Sequence, residues 1–415
     1  MTASPGGAFE TPPAGPSPKA SGILVAFAAF VGVFATTPGQ TVGVSAFIDP
    51  IAADLGLTRD HVLVLYSVGT FLGILTAPLV GRMVDRVGPR RLIVPVVLTL
   101  ATACGVMSVA WHAWSLGFGF VVLRAAAIAG LSLVSAQMLN LWFDRFRGRV
   151  TALAMMGLAL GGSIVPPFAD AVTTAEGWRA AYLALGASVL AIMLPTGVML
   201  FRNRPEELGS QKDFGLPPRV GASAHAAPDR TLGQAAQTAT FWYFVALTLL
   251  VNAVNTALLL DHVRAMGQAG LDRGQAIFLL GVVTATQALS TLMSGVLVDR
   301  FGARPVGMLG LLVLASSVVC VMVVPALGGG VVYAMMLGAM IAILQVAHSA
   351  GLAEAFGTAH LGSIRGTTFV VGVSGAAAGP LPFLLSPDVA YVTFLVLTAG
   401  GAMLGVVSLW RTARG

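Results

Sequence analysis

Long apolar runs alternate with short polar breaks along the chain, and this rhythm predicts most of the structure. Twelve runs stand out, near residues 21–48, 61–81, 92–112, 115–141, 149–171, 180–201, 239–261, 275–297, 306–326, 331–353, 366–385 and 389–410. At about 1.5 Å of rise per residue, a run of about 20 residues crosses a hydrocarbon core roughly 30 Å thick as a helix. Inside that core an isolated segment satisfies its own backbone groups only as a helix, so the pattern predicts an all-α membrane protein. One polar stretch is much longer than the rest. It begins RNRPEELGSQKDFG and divides the runs six and six, predicting a linker at 202–238 between an N-terminal bundle at 21–201 and a C-terminal bundle at 239–411. Residues 1–20 are rich in Pro, Gly, Ser and Ala and lack the basic-then-apolar pattern of a signal peptide, which predicts a disordered tail.

Composition adds an exclusion. Of 415 residues only 10% are charged and 56% are hydrophobic, against about 25% charged in soluble domains, so one water-soluble core is ruled out. Cys104 and Cys320 both sit in apolar runs without metal-type spacing, which predicts neither a disulfide framework nor a metal site. The net charge of +6 does not point to nucleic acid, because the basic residues are spread through short loops. Their distribution points to orientation instead. Eighteen Lys and Arg fall on the side that holds both termini and the linker, four on the other, and Arg124 alone lies within a run. By the positive-inside rule, both termini are expected in the cytoplasm.

The chain also repeats. GRMVDRVGPRR after the second run (Gly81 to Arg91) returns as GVLVDRFGARP after the eighth (Gly295 to Pro305), and Arg147-Gly148 returns at nearly the same offset as Arg365-Gly366. Duplication of a six-span unit is the economical reading. A carboxylate at Asp85, set between a helix end and Arg86, Arg90 and Arg91 with Gly81 and Gly88 around it, suits a gate that latches neighbouring helix ends. Gly295, Asp299, Arg300 and Gly302 form the second copy. The alternative is that these charges only orient the loops.

The GxxxDRxGxRR pattern carried by Gly81, Asp85, Arg86, Gly88, Arg90 and Arg91 resembles the signature of the major facilitator superfamily, and the resemblance runs from about residue 20 to 411. It implies twelve transmembrane helices in two pseudo-symmetric six-helix bundles, rocker-switch alternating access, a monomer, no cofactor and no catalytic residues. LNLWFDRFRGRVTALAMMG, GWRAAYLALGA, FRNRPEELG, ATFWYF and FGTAHLGSIRG are further similar to the branch of monocarboxylate porters and oxalate/formate antiporters. In that branch an arginine in span 8 commonly holds the substrate carboxylate. Span 8 here has no charged residue between Ala276 and Val298.

The candidate substrate residues follow from depth. A central arginine costs about 2.5–3.5 kcal/mol to insert, so one that persists is a functional candidate. Arg124 is the only ionisable residue near mid-depth, and counting back along span 1 puts Gln40 level with it, beside a break at Thr36 to Thr41 that contains Pro38 and Gly39. Arg124 then either anchors an anion with Thr37, Gln40 and Thr41 or caps carbonyls freed by Pro38. Asn252 and Asn255 share one face of span 7, Thr284 and Gln287 one face of span 8, and Gln345 lies on span 10, all able to face one cavity. Tyr66 is a candidate to close that cavity from outside. Pro38, Gly39, Pro166, Pro167, Gly379 and Pro380 are the expected helix hinges. His348 is the candidate for a coupling proton, since the acidic residues lie in loops, the tail or span ends; uniport and anion exchange fit equally.

Together these residues predict a secondary transporter of a small organic solute, a monocarboxylate-like anion, with a proton-linked exporter of a larger hydrophobic compound as the alternative. The partners expected are a small-molecule substrate, the lipid bilayer and a coupling proton, with no nucleic acid, and the expected location is a bacterial inner membrane. An enzyme or an ATP-driven pump is disfavoured, because no nucleophile–base–metal cluster and no GxxxxGK[ST] loop occur.

Overall fold

The computed structural model describes residues 18–143, 146–208, 211–215, 229–323, 327–357 and 360–413. Twelve helices among them are long and apolar enough to span a membrane: α1 (Ser21–Ser45), α2 (Arg59–Val84), α3 (Pro89–Ser108), α4 (Ala113–Trp142), α5 (Leu153–Glu176), α6 (Trp178–Leu200), α7 (Ala239–Gln268), α8 (Arg273–Val298), α9 (Ala303–Met322), α10 (Leu327–Phe356), α11 (Ile364–Leu384) and α12 (Pro387–Trp410). No strand occurs among the described residues. Each helix overlaps one apolar run, and the ends move where a cap overrides hydropathy. Asp272, for example, caps the amide of Gln275 and starts α8 ahead of its apolar run.

The buried apolar residues form two cores. One runs from Val25 to Phe201 and also takes in Leu260; the other runs from Ala235 to Phe394 and also takes in Val42 and Ala46. The exchanged residues sit where α1 and α7 end, opposite the termini. The bundles are therefore interlocked at that end, here called the far end. The predicted tail lies largely outside the described residues, although helix is already formed from Pro18, and of the linker residues 209–210 and 216–228 lie outside them.

Three helices depart from ideal geometry, two near the middle of the molecule and one at an end. The first helix stops at Phe34, turns through a 3-10 segment at Thr37–Gly39, and resumes over Thr41–Ser45. Pro38 has no N–H to donate, and the Thr36 and Thr37 hydroxyls donate instead to the carbonyls of Val33 (2.7 Å) and Phe34 (2.6 Å). α11 breaks at its far end, where Pro380 precedes a 3-10 turn over Leu381–Leu384. In α4 a π-helical segment at Ala125–Ser132 begins right after Arg124, a feature that apolar periodicity does not reveal. The expected hinge at Pro166 and Pro167 is not a break: the helix runs without interruption from Arg147 to Glu176.

The duplication is visible in the backbone. Gly88 (φ 81°, ψ 159°) and Gly302 (φ 82°, ψ 160°) take the same conformation at the mouths of α3 and α9, where a positive φ favours glycine. Different groups cap the two helices: Asn203 Oδ1 accepts from the Arg90 amide at 3.0 Å, and Glu354 Oε2 from the Ala303 amide at 3.0 Å.

Candidate functional site

Between the bundles, at the level of the α1 break, lies a cavity of about 210 Å³. It brings together Gln40, Thr41, Arg124, Asn252, Asn255, Thr284, Gln287 and Gln345 from five helices. Apolar wall is supplied by Ile128, Leu158, Val283, Ile341, Phe369 and Val373. Among the described residues no Asp or Glu lines it. A second space of about 180 Å³ shares Leu158, Gln287 and Gln345 with the first, and continues between α5 and α8 past Met155 and Met156 toward the end that bears the termini.

Arg124 is 3% exposed, and uncharged groups hold it. Its Nη1 donates to the Gly39 carbonyl at 2.6 Å and its Nε to Thr70 Oγ1 at 3.0 Å, while its guanidinium carbon sits 5.1 Å from the centre of the Tyr66 ring. The Tyr66 hydroxyl is 2.9 Å from that of Thr41. Nη2 has no hydrogen bond to a described residue, and no described carboxylate pairs with the guanidinium. A backbone carbonyl, a hydroxyl and an aromatic face stabilise a cation without neutralising it. One such carbonyl belongs to the residue after Pro38, so capping of the break and display toward the cavity are both present in one side chain.

The C-terminal wall is built differently. Asn252 donates to the Thr248 carbonyl at 2.7 Å, but the side-chain amides of Asn255, Gln287 and Gln345 make no hydrogen bond to a described residue, and Asn255 Oδ1 is buried. Thr284 is occupied elsewhere, 2.9 Å from the hydroxyl of Ser163 in the close α5–α8 contact.

Three predicted residues are not on the cavity wall. Tyr66 is fully buried behind Arg124 and does not close the cavity from outside. Thr37 is turned to the Phe34 carbonyl within its own helix. His348, on α10, lies outside the lining, with Nε2 buried and unpartnered. The expectation that acidic residues stay at span ends needs a correction, because α7 runs on to Gln268 and leaves Asp261 inside it at 2% exposure. Of the gate residues, Arg86, Arg90, Arg91 and Arg300 are exposed; the side chains of Asp85 and Asp299 lie outside the described residues, and so does the latch they were expected to form.

The far end is closed by charge as well as by packing. Arg59, at the start of α2, donates to the Leu260 carbonyl and lies 3.7 Å from Asp261, both in the other bundle. Arg273, at the start of α8, donates to the Ala46 carbonyl at 2.8 Å and pairs with Asp170 at 2.5 Å, again across the interface. Within one bundle, Arg264 chelates Asp261 at 2.6 and 2.8 Å, and Arg179 pairs with Asp54. The Arg179 hydrogen bond holds the Asp54 carboxyl below its usual range, against the opposing effect of desolvation.

The fold and the site define an integral membrane protein of two helical bundles around one polar cavity. The Major Facilitator Superfamily model matches residues 22–380, and the chain belongs to that family. The chain is 29% identical over 161 residues to the MFS-type transporter pynF of Aspergillus niger, covering 39% of this chain and 37% of that protein. It is 26% identical over 329 residues to a triacylglyceride transporter of Mycolicibacterium smegmatis, covering 68% and 59%, and 24% identical over 184 residues to the synaptic vesicular amine transporter of Bos taurus, covering 42% and 34%. It thus spans between 34% and 59% of the length of these three relatives. Among solved structures it resembles a bacterial homologue of the human lysosomal transporter Spinster in an inward-facing and occupied conformation, with a TM-score of 0.72, 15% identity, and coverage of 95% of this chain and 98% of that one. The family and these relatives are transporters rather than enzymes.

Proposed function

We propose that the chain is a secondary transporter that moves a small organic anion of the monocarboxylate kind by alternating access, and that Arg124 is its anion anchor. The observation that carries this reading is the buried Arg124, which faces the central cavity without a carboxylate partner among the described residues. A carboxylate ligand supplies the missing charge through a charge-assisted hydrogen bond. The absence of Asp and Glu from the lining argues against an amine, the substrate named for one relative, and the amides argue against a purely apolar cargo. Rocking about this cavity, with the far end closed in the present state, gives the site alternate access to the two faces. The 18 to 4 charge bias supports a cytoplasmic terminal end, so the state described opens inward, in a bacterial inner membrane. The six-and-six division, with 202–238 as linker, belongs to the same proposal. Function as a monomer is also part of it, as is a proton carried by the substrate or by His348.

The test is ligand-induced thermal stabilisation of the purified protein by a panel of carboxylates, amines and hydrophobic drugs, repeated with Arg124→Gln. A ligand at a hundredfold excess over its Kd stabilises by about 2.7 kcal/mol. The expected result is stabilisation by a carboxylate that the variant loses. Equal stabilisation of both proteins, by apolar compounds alone, returns Arg124 to a structural role and favours a hydrophobic exporter.

A further inference from the structure

The two walls of the cavity differ in how far their polar groups are already committed, and the difference restricts the ligand. On the N-terminal wall Gln40 donates to Thr36, Thr41 is matched by Tyr66, and Arg124 is fixed by Gly39 and Thr70. This wall offers a positioned cation. On the opposite wall the amides of Asn255, Gln287 and Gln345 make no hydrogen bond to a described residue, and Asn255 Oδ1 is buried without a described donor. A simple aliphatic carboxylate satisfies Arg124 and leaves three amides facing its alkyl chain.

From this asymmetry we infer that the substrate is a polyhydroxylated carboxylate, of the sugar-acid type, whose carboxylate meets Arg124 while its hydroxyls meet Asn255, Gln287 and Gln345. The inference rests on the anion reading above and narrows it. Each carboxamide presents an acceptor and a donor side by side, and a hydroxyl is both, so a row of hydroxyls pairs with a row of amides without any charge on that wall. Sites built to hydrogen-bond a hydroxyl reject the analogue that lacks it far more strongly than an apolar pocket rejects an extra methylene, because the buried polar groups are left unpaired. The carbon skeleton then rests on the apolar wall at Ile341 and Phe369. Such a ligand also bridges the bundles: its charge is bound by one and its hydroxyls by the other, so the closed grip on it needs both.

The experiment compares three probes of similar length on the full-length protein in detergent. Gluconate carries both functions, hexanoate only the carboxylate, and sorbitol only the hydroxyls. Equilibrium binding is measured by calorimetry for the wild type, Arg124→Gln, Asn255→Leu and Gln287→Met, each shown by size exclusion and melting to be folded. The inference expects gluconate to bind at least a hundredfold more tightly than hexanoate or sorbitol. It expects Asn255→Leu or Gln287→Met to weaken gluconate at least tenfold while leaving hexanoate unchanged, and Arg124→Gln to weaken both acids. Hexanoate binding as tightly as gluconate, and depending on Arg124, overturns the polyhydroxy inference and leaves the anion reading standing. If sorbitol equals gluconate, or if the acids bind equally well to Arg124→Gln, the anion reading falls and takes this inference with it. Because the two amides lie on different helices, a folding failure in one variant still leaves the other to decide.

Discussion

At the scale of single residues, Arg124 is kept inside the protein with no carboxylate partner among the described residues. The Tyr66 ring and the Thr70 hydroxyl both support Arg124, but in different ways. Tyr66→Phe removes only the 2.9 Å contact to Thr41 and keeps the ring under the guanidinium, so carboxylate affinity is expected to change by less than about fivefold, the equivalent of roughly 1 kcal/mol. Thr70→Val removes the acceptor for Nε inside the protein, and a loss of about tenfold or more is expected in the same titration. Carboxylate affinity unchanged in Thr70→Val would show that the cradle does not position Arg124. A separate consequence concerns pH at the far end. The folded-state pKa of Asp54 is lowered by Arg179, so the pair contributes stability that is fully present above the ordinary carboxylate value of about 3.9 and is lost as pH falls through the lower folded value. Both side chains are partly exposed, so the effect is small and weakens in salt. The melting difference between wild type and Asp54→Asn is expected to stay level from about pH 8 to pH 5 and to shrink only in stronger acid; a difference that shrinks already near pH 6 would exclude the pair as its source.

At the scale of elements, the sequence made some features legible and hid others for physical reasons. Apolar length located all twelve helices because the bilayer sets a minimum span, and Pro38 with Gly39 revealed the α1 break because proline removes a donor outright. Eight of the ten predicted substrate residues meet at the cavity because polar groups in apolar runs are few and fall on single helix faces. What stayed hidden depends on three-dimensional neighbours. Tyr66 read as a residue closing the cavity from outside, but α4 places Arg124 over its buried ring; Pro166 and Pro167 read as a hinge, yet their helix runs unbroken from Arg147 to Glu176; and the π segment of α4 has no signature in composition. Glycines let helices approach closely in both bundles. Gly157 and Gly161 set α5 against Phe30 and Phe34 of α1. Their matches in the second bundle, at the offset that relates Arg147 to Arg365, are Gly375 and Gly379, which set α11 against Leu249 and Ala253 of α7. A Cβ at Gly161 meets the Phe34 carbonyl at 3.0 Å and one at Gly375 meets that of Leu249 closer still, at 2.6 Å. Gly375→Val is therefore expected to push α11 off α7 and lower stability by about 1–3 kcal/mol, read as a lower melting temperature of the detergent-solubilised protein. An undiminished melting temperature would mean that the seam yields without cost.

At the scale of the whole molecule, the duplication reaches the contacts that hold the far end shut. Arg59 and Arg273 are separated along the chain by the same offset as the repeated loops that begin at Gly81 and Gly295, and so are the residues whose carbonyls they bind, Ala46 and Leu260. Each arginine stands at the start of the second helix of its own bundle and reaches the end of the first helix of the other. The contact is thus reciprocal, as in a two-fold interface, although the chain has no exact symmetry. Ala46 and Leu260 also lie in the opposite bundles' apolar cores, so opening the far end must break two arginine–carbonyl bonds, two ion pairs and both exchanged packing contacts together. Two equivalent latches imply a particular mutational pattern. Removing one leaves the other to hold the face, so Arg59→Met or Arg273→Met alone is expected to shift the closed population modestly, whereas the double variant shifts it by more than the sum of the two. The reporter is a cysteine at Ala46, which is 2% exposed in the closed state, in a background with Cys104 and Cys320 replaced by serine. Labelling by a bulky charged maleimide is expected to be slow in the parent and in each single variant, and at least tenfold faster in the double variant. Equal labelling of all four proteins would place the barrier in the packing rather than in the arginines. If one single variant labels as fast as the double, the latch is not reciprocal and only that arginine closes the far end.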